Sequence, residues 1–338
     1  MTSFASVHAF EAALANLRDP DAGAAADARV RQGELTKPAG SLGRLEDLAI
    51  FFAGWQGKAR PQIARARAAI FAGNHGVTVH GVSAFPPSVT AQMVANFANG
   101  GAAINALSGA AGLELTVVAL DLDRPTADFT VAAAMSEADC LDALNRGAAV
   151  VDANLDLLVL GEMGIGNSTA AAALCARSFA GGVAGWVGPG TGVDGHGVAR
   201  KIEVIERALA FHIDAPRSAF ETLRRVGGRE IAAIAGAIVR ARQLGVPVLL
   251  DGFICTSAIA PLAAENPAIA DHCIAGHCSA EPGHKRLLDR LGLAPLLSLD
   301  MRLGEGSGAA VAANIVRSAL AAHDQMATFA EAQVSASL

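Results

Sequence analysis

From residue 66 onward the chain carries short, mostly apolar runs without the polar alternation of a strand wetted on one side. They cover residues 68–72, 115–120, 157–160, 246–250, 273–275 and 296–299. Alanine-rich stretches at helical spacing separate them, among them 88–98, 168–176, 200–210 and 229–244. Strands that are apolar on both faces need a helical layer on each side. The pattern therefore predicts an α/β fold around a parallel sheet. In such sheets ligands bind beyond the carboxyl ends of the strands. Several runs lead there directly into glycine-bearing turns: Gly73-Asn74-His75-Gly76, Gly161-Glu162-Met163-Gly164 and Asp251-Gly252.

Ahead of residue 66 only helices are predicted. Phe4, Val7, Phe10, Leu14 and Leu17 recur at helical spacing until Asp19-Pro20-Asp21 ends the run. A second helix is expected over 24–35, and Ser41 is positioned to cap a third over 42–55. One long helix is predicted over 309–330, where it can return to these N-terminal helices.

Composition narrows the function. A net charge of −6 argues against nucleic acid or an anionic membrane as the main partner. The best candidate for a membrane span, residues 246–264, is interrupted by Asp251 and Pro261 and reads better as strand, turn and helix. His8, Glu11 and Arg18 leave no long apolar core for a leader peptide. Five scattered cysteines, an odd number, predict reduced thiols and a cytoplasmic protein.

Four segments carry chemistry. Gly161-Glu162-Met163-Gly164-Ile165-Gly166-Asn167-Ser168-Thr169 runs from a strand into a helix, whose free amides favour an anion such as a phosphate. The plainer reading is a turn that needs glycine. Neither the dinucleotide fingerprint nor the ATP-binding P-loop is matched. Gly188-Pro189-Gly190-Thr191-Gly192 opens a second helix that contains Lys201, either a phosphate-binding charge or a solvated lysine. Arg302-Leu303-Gly304-Glu305-Gly306-Ser307-Gly308 presents a carboxylate flanked by glycines, open to a substrate as a general base, or else a helix cap. The loop from His75 to Pro86 includes Phe85 as a wall for a flat ring, whereas a lone histidine such as His75 is more often structural. His272, Cys273, His277, Cys278 and His284 lack the spacing of a zinc site, and no metal is expected. Asp121 and Asp123 read as turn caps. No Gly-x-Ser-x-Gly nucleophile elbow occurs.

Together these segments resemble one family, the nicotinate-nucleotide–dimethylbenzimidazole phosphoribosyltransferases of cobalamin biosynthesis. The matching pieces begin with Lys37-Pro38-Ala39-Gly40-Ser41-Leu42-Gly43-Arg44-Leu45-Glu46, His75-Gly76-Val77 and Gly81-Val82-Ser83-Ala84-Phe85-Pro86. They continue through Val89-Thr90-Ala91-Gln92-Met93, the 161–169 loop, Gly190-Thr191-Gly192, Asp251-Gly252-Phe253 and the stretch 284–308. Asn74 stands where the family pattern has Asp.

The resemblance implies transfer of phosphoribose from nicotinate mononucleotide to 5,6-dimethylbenzimidazole, with inversion, giving α-ribazole 5′-phosphate and nicotinate. It implies Glu305 as proton acceptor, with Glu162 and Lys201 in support. Phe85, Met163 and Leu303 are the expected walls of the base pocket. The backbones of Gly164, Ile165, Gly166, Asn167, Ser168, Gly190, Thr191 and Gly192, with Ser279, are the expected phosphate cradle. Gln92 and Asp251 complete the substrate-binding set. No cofactor is expected, because the pyridinium leaving group is already activated. The partners implied are these small molecules and a second copy of the chain in a homodimer. The implied architecture is a large Rossmann-like three-layer α/β domain over 61–309, with a small helical domain built from 1–60 and 310–338. A related phosphoribosyltransferase or nucleosidase with another acceptor stays open, as does a non-catalytic nucleotide-binding regulator.

Overall fold

In the computed structural model, which describes residues 3–335, five strands form one parallel sheet. The strands are Ala66–Ala72 (β1), Glu114–Ala119 (β2), Leu157–Met163 (β3), Val248–Leu250 (β4) and Cys273–Ala275 (β5). Their spatial order is β2-β1-β3-β4-β5. The chain leaves β1 toward one edge and returns beyond it, so the sheet has its topological switch between β1 and β3.

Alternate side chains point to opposite faces of a strand, and here each face has its own core. Ala69 and Phe71 of β1, Leu158 and Leu160 of β3, and Val248 and Leu250 of β4 enter one core. Ala68 and Ile70, Leu157 and Val159, and Leu249 enter the other. Helices Glu137–Ala148, Asn167–Ser178 and Arg229–Leu244 cover the first face, and Arg44–Gln56, Ala103–Ala111 and Ser307–Gln325 the second. The predicted parallel α/β sheet is therefore present, layered helix–sheet–helix. The chain ends divide between the layers. Phe4, Phe10 and Leu14 join the first core beside Phe220, whereas Leu48 and Phe52 pack with the last helix in the second.

Three local expectations need correction. Residues 296–299 are not a sixth strand. Leu297 makes a lone parallel bridge to His277, because Pro295 lacks an N–H and Asp300 turns left-handed at φ 54°. The C-terminal helix does not reach 330. It ends at Gln325, where Arg31 ties down the carbonyls of His323, Asp324 and Met326, and a separate turn Phe329–Ala332 follows. Ser41 does not cap the third helix. Gly43 occupies the cap, and Glu46 instead accepts from the Leu42 amide while pairing with Lys37 at 2.8 Å. The 246–264 stretch is strand, turn and two short helices, and among the described residues no helix is long and apolar enough to cross a membrane.

Candidate active site

The carboxyl ends of β3, β4 and β5 open into one cleft of about 1010 Å³, mouth included. These strands and β1 each deliver a polar group at or just past the end: His75 after β1, Glu162 within β3, Asp251 after β4, His277 after β5. Arg302, Leu303 and Gly304, ahead of the helix Ser307–Gln325, form one wall of the cleft, and Glu305 follows them without lining it. Of the residues expected from sequence, Phe85, Glu162, Met163, Gly164, Ile165, Asn167, Ser168, Gly190, Thr191, Ser279 and Leu303 line it together. Phe85 and Leu303 are about half exposed at its mouth.

The others sit elsewhere. Gln92 is exposed on the helix Ser88–Ala98 and does not line the cleft. The residue of that helix that reaches the site is Thr90, buried, whose hydroxyl accepts from the Ile165 amide at 3.2 Å. Gly166 lies behind the cleft wall at φ 92°, against Thr78. Gly192 turns back to hydrogen-bond Pro189.

Asp251 is fully buried and serves the chain itself. Its carboxylate accepts from the amides of Gly306 at 3.1 Å and Ala309 at 3.0 Å. These bonds anchor a left-handed turn of three residues, Gly304 (φ 82°), Glu305 (φ 62°) and Gly306 (φ 76°). Glutamate in this conformation is strained, which marks the position as one held for a purpose. The Glu305 side chain is buried beside the cleft, and its Oε2 has no hydrogen-bond partner. Burial, and then the nearby Asp251 charge, raise its proton affinity.

Glu162 is the second buried carboxyl. Its Oε2 accepts from the Asn167 side-chain amide at 2.5 Å, and Gly304 passes directly over its Oε1. Burial pushes it up to about 8, so the group holds its proton at neutral pH. The Asn167 bond opposes this, and the charges of Asp251, Glu230 and Glu305 reinforce it.

Lys201 is not a solvated helix lysine. It is 1% exposed, and its Nζ donates to the Ser168 hydroxyl at 3.0 Å and the Gly188 carbonyl at 3.1 Å. A side chain on Gly190 would collide with both Nζ and Ser168 Oγ, so the second glycine loop rests directly on this ammonium. Burial lowers the lysine to about 8, partly offset by Glu281. The cation is therefore retained at neutral pH beneath the N-terminus of the helix Asn167–Ser178, and the combination favours an anion.

Sequence reasoning missed several lining residues. Glu281 accepts from the Gly190 amide at 3.0 Å, and so removes one donor from the expected cradle. Arg302 reaches the mouth, where a cation beside two glycine loops was a usable signal. His277, Gly252, Phe253 and Ile254 also line the cleft. His284 accepts from the Ser279 amide at 2.9 Å and meets Thr256 at 3.2 Å, which fixes Ser279 in place. Buried Asn74 donates to the Leu122 carbonyl at 2.9 Å, a structural bond. Among the described residues no three His, Cys, Asp or Glu side chains converge as a metal site requires.

The family whose model matches, described as phosphoribosyltransferase, aligns with residues 17–334. A Novosphingobium aromaticivorans protein named nicotinate-nucleotide–dimethylbenzimidazole phosphoribosyltransferase is 70% identical over 335 residues, 99% of each chain. A Ruegeria pomeroyi protein of the same name is 58% identical, spanning 95% of this chain and 97% of its own. The crystal structure of CobT from Thermus thermophilus superposes with a TM-score of 0.87 at 40% identity, covering 93% of this chain and all of that one. With a family match over nearly its whole length and full-length relatives well above half identical, the chain belongs to the nicotinate-nucleotide–dimethylbenzimidazole phosphoribosyltransferase family.

Proposed function

We propose that this chain transfers phosphoribose from nicotinate mononucleotide to 5,6-dimethylbenzimidazole, with Glu305 as the general base. The observation that carries the reading is the buried, unpartnered Glu305 carboxylate, held on a strained turn beside a cleft with an anion-seeking lysine under its floor. In the reaction an unprotonated benzimidazole nitrogen attacks the anomeric carbon from the face opposite nicotinate. The C–N bond to the pyridinium breaks, and its electron pair returns to the departing nitrogen. The remaining N–H proton of the benzimidazole passes to Glu305. One displacement inverts the anomeric carbon from β to α.

Each group has a task that suits its surroundings. The cradle around Ser168 and Thr191, with Lys201 beneath, holds the 5′-phosphate. Met163, Ile165 and Leu303 with Phe85 offer apolar surface to a flat base. Glu162, protonated up to about pH 8, donates a hydrogen bond inside the cleft without competing as a second anion. Holding both reactants in one cavity supplies much of the rate. Gly192, Gln92 and Asp251 act from outside the cleft wall in this reading, Asp251 by anchoring the base.

The reading extends to the whole chain. Val79, Val131, Phe211 and Ile213 are more than half exposed. Their segments meet where His80 bonds Asp128 and Arg207, an apolar patch suited to a second copy in a homodimer. The packing of Arg44–Gln56 against Ser307–Gln325 supports a small helical unit drawn from both chain ends. Five thiols, none in a disulfide, suit a cytoplasmic enzyme. Incubation with nicotinate mononucleotide and dimethylbenzimidazole, followed by chromatography and NMR of the product, is expected to give nicotinate and the α-anomer of ribazole 5′-phosphate. A β-linked product, or nicotinate released without a new nucleotide, overturns the reading.

A further inference from the structure

Behind the cleft wall lies a buried pair that the mechanism above does not use. His75, which follows β1, and Glu230, in the first turn of the helix Arg229–Leu244, both have fully buried side chains, with Nε2 and Oε1 2.5 Å apart. Neither is saturated, since His75 Nδ1 and Glu230 Oε2 have no partner. Three glycines from three separate loops make room for the pair. A Cβ on Gly73 would stand 2.5 Å from Glu230 Oε2, and one on Gly228 would collide with His75 Cε1. One on Gly164 would stand 3.0 Å from both Glu230 Oε1 and the Asn167 side-chain nitrogen. That same nitrogen donates to Glu162. The pair therefore backs the turn that carries the cradle at Gly164, which stands between Glu230 and the Asn167 side chain that bonds Glu162. A buried, half-satisfied ionisable pair is costly, and apolar residues would fill the space more cheaply.

From this we infer that His75 and Glu230 form a positioning pair, which fixes the Gly164–Asn167 turn and sets the electrostatic environment of Glu162. The inference rests on the reading of Glu162 as the group that keeps its proton in the cleft. The charged groups facing Glu162 come from three elements: Glu230 from the helix behind, Asp251 from the end of β4 and Glu305 from the turn above. Neither Glu230 nor Asp251 lines the cleft, and the Asp251 carboxylate is taken up in anchoring the turn above. The negative charge of Glu230 adds to burial in holding the Glu162 proton.

The test is the pH profile of kcat, and of KM for nicotinate mononucleotide, in wild type, Glu162→Gln and Glu230→Gln. Wild type is expected to lose activity on an alkaline limb near pH 8, where Glu162 and Lys201 both give up their protons, and Glu162→Gln to keep only the part of that limb that belongs to Lys201. Glu230→Gln keeps the shape and a hydrogen-bonding partner for His75 but removes the charge. Its limb is expected to move to lower pH by roughly one unit, the effect of one close buried charge, with a several-fold higher KM for the nucleotide. Should that variant not fold, Glu230→Asp, which withdraws the charge from the turn, is expected to shift the limb in the same direction by less. An alkaline limb that Glu162→Gln leaves unchanged overturns the reading of Glu162 and this inference with it. A wild-type limb that the Glu230 variant leaves in place overturns the inference alone, since a purely structural pair would lower activity without moving the limb.

Discussion

Glu305 holds a backbone conformation, φ 62°, that costs a residue with a Cβ about 1–2 kcal/mol. Its carboxyl is also buried without a partner. Glu305→Gly removes both burdens, so the variant is expected to unfold at higher urea, by about 1 kcal/mol, while losing turnover. A destabilised variant would show that the turn is not strained. In the sequence the flanking glycines mark this carboxylate as sterically open, but spacing alone left a helix cap as the plainer reading, and the role of base came from the family resemblance. Lys201 was legible only in part. Its helix carries Arg200 and Glu203 beside it, and no local pattern marks one of three charged neighbours as the one that turns inward. Its burial is decided by Gly190 and Ser168, far away in sequence. Asp251 entered only as a strand-end turn and through the family resemblance, and its task in the fold is backbone anchorage, which depends on where a distant helix begins.

The turn from Gly304 to Gly306 and the first turn of the helix Ser307–Gln325 act as one element, anchored on Asp251. A carboxylate can accept from both amides, one per oxygen. The side-chain amide of asparagine offers only one acceptor, so Asp251→Asn leaves the N–H of Gly306 or Ala309 unpaired. The expected cost is about 2 kcal/mol by urea titration, with lower kcat because the base is less firmly held. Unchanged stability would mean that the turn is held by other contacts. Strands and long helices were readable because burial on both faces leaves uninterrupted apolar runs, and because Pro and Gly mark the ends. The segment 296–299 misled because its apolar composition reflects packing beside β5 rather than membership of the ladder. The stop at Gln325 was hidden because it is imposed by Arg31, nearly the whole chain away.

Across the whole molecule, two cores bury several histidines in neutral form. Burial lowers His272 and His284 to about 3 each, from an ordinary value of 6.5. The unfolded chain protonates them near 6.5 and the folded chain only near 3. Between those limits the unfolded state binds more protons, so stability falls as pH is lowered through that window. The slope is about 1.4 kcal/mol per pH unit for each histidine. Gln in place of His272 can still donate to the Ile238 carbonyl, which His272 Nε2 contacts at 3.1 Å. His272→Gln is therefore expected to lose less stability than wild type between pH 6.5 and 5 in paired urea titrations. Parallel slopes would contradict a neutral buried His272. At this scale the sequence told the layer order, because two-faced apolar strands admit little else. It could not tell which terminal helices share a layer, since Phe10 and Phe52 look alike until the sheet divides them.

The central claim is that Glu305 takes the proton from the acceptor base. It is tested most directly by comparing turnover of wild type and Glu305→Gln, with calorimetric binding of dimethylbenzimidazole measured on both. The expected result is a folded Glu305→Gln that binds the base about as well as wild type and forms α-ribazole 5′-phosphate at least about a hundredfold more slowly, the usual scale of general-base catalysis. Turnover close to wild type in a folded Glu305→Gln would remove Glu305 from the role and leave the proton to another group in the cleft.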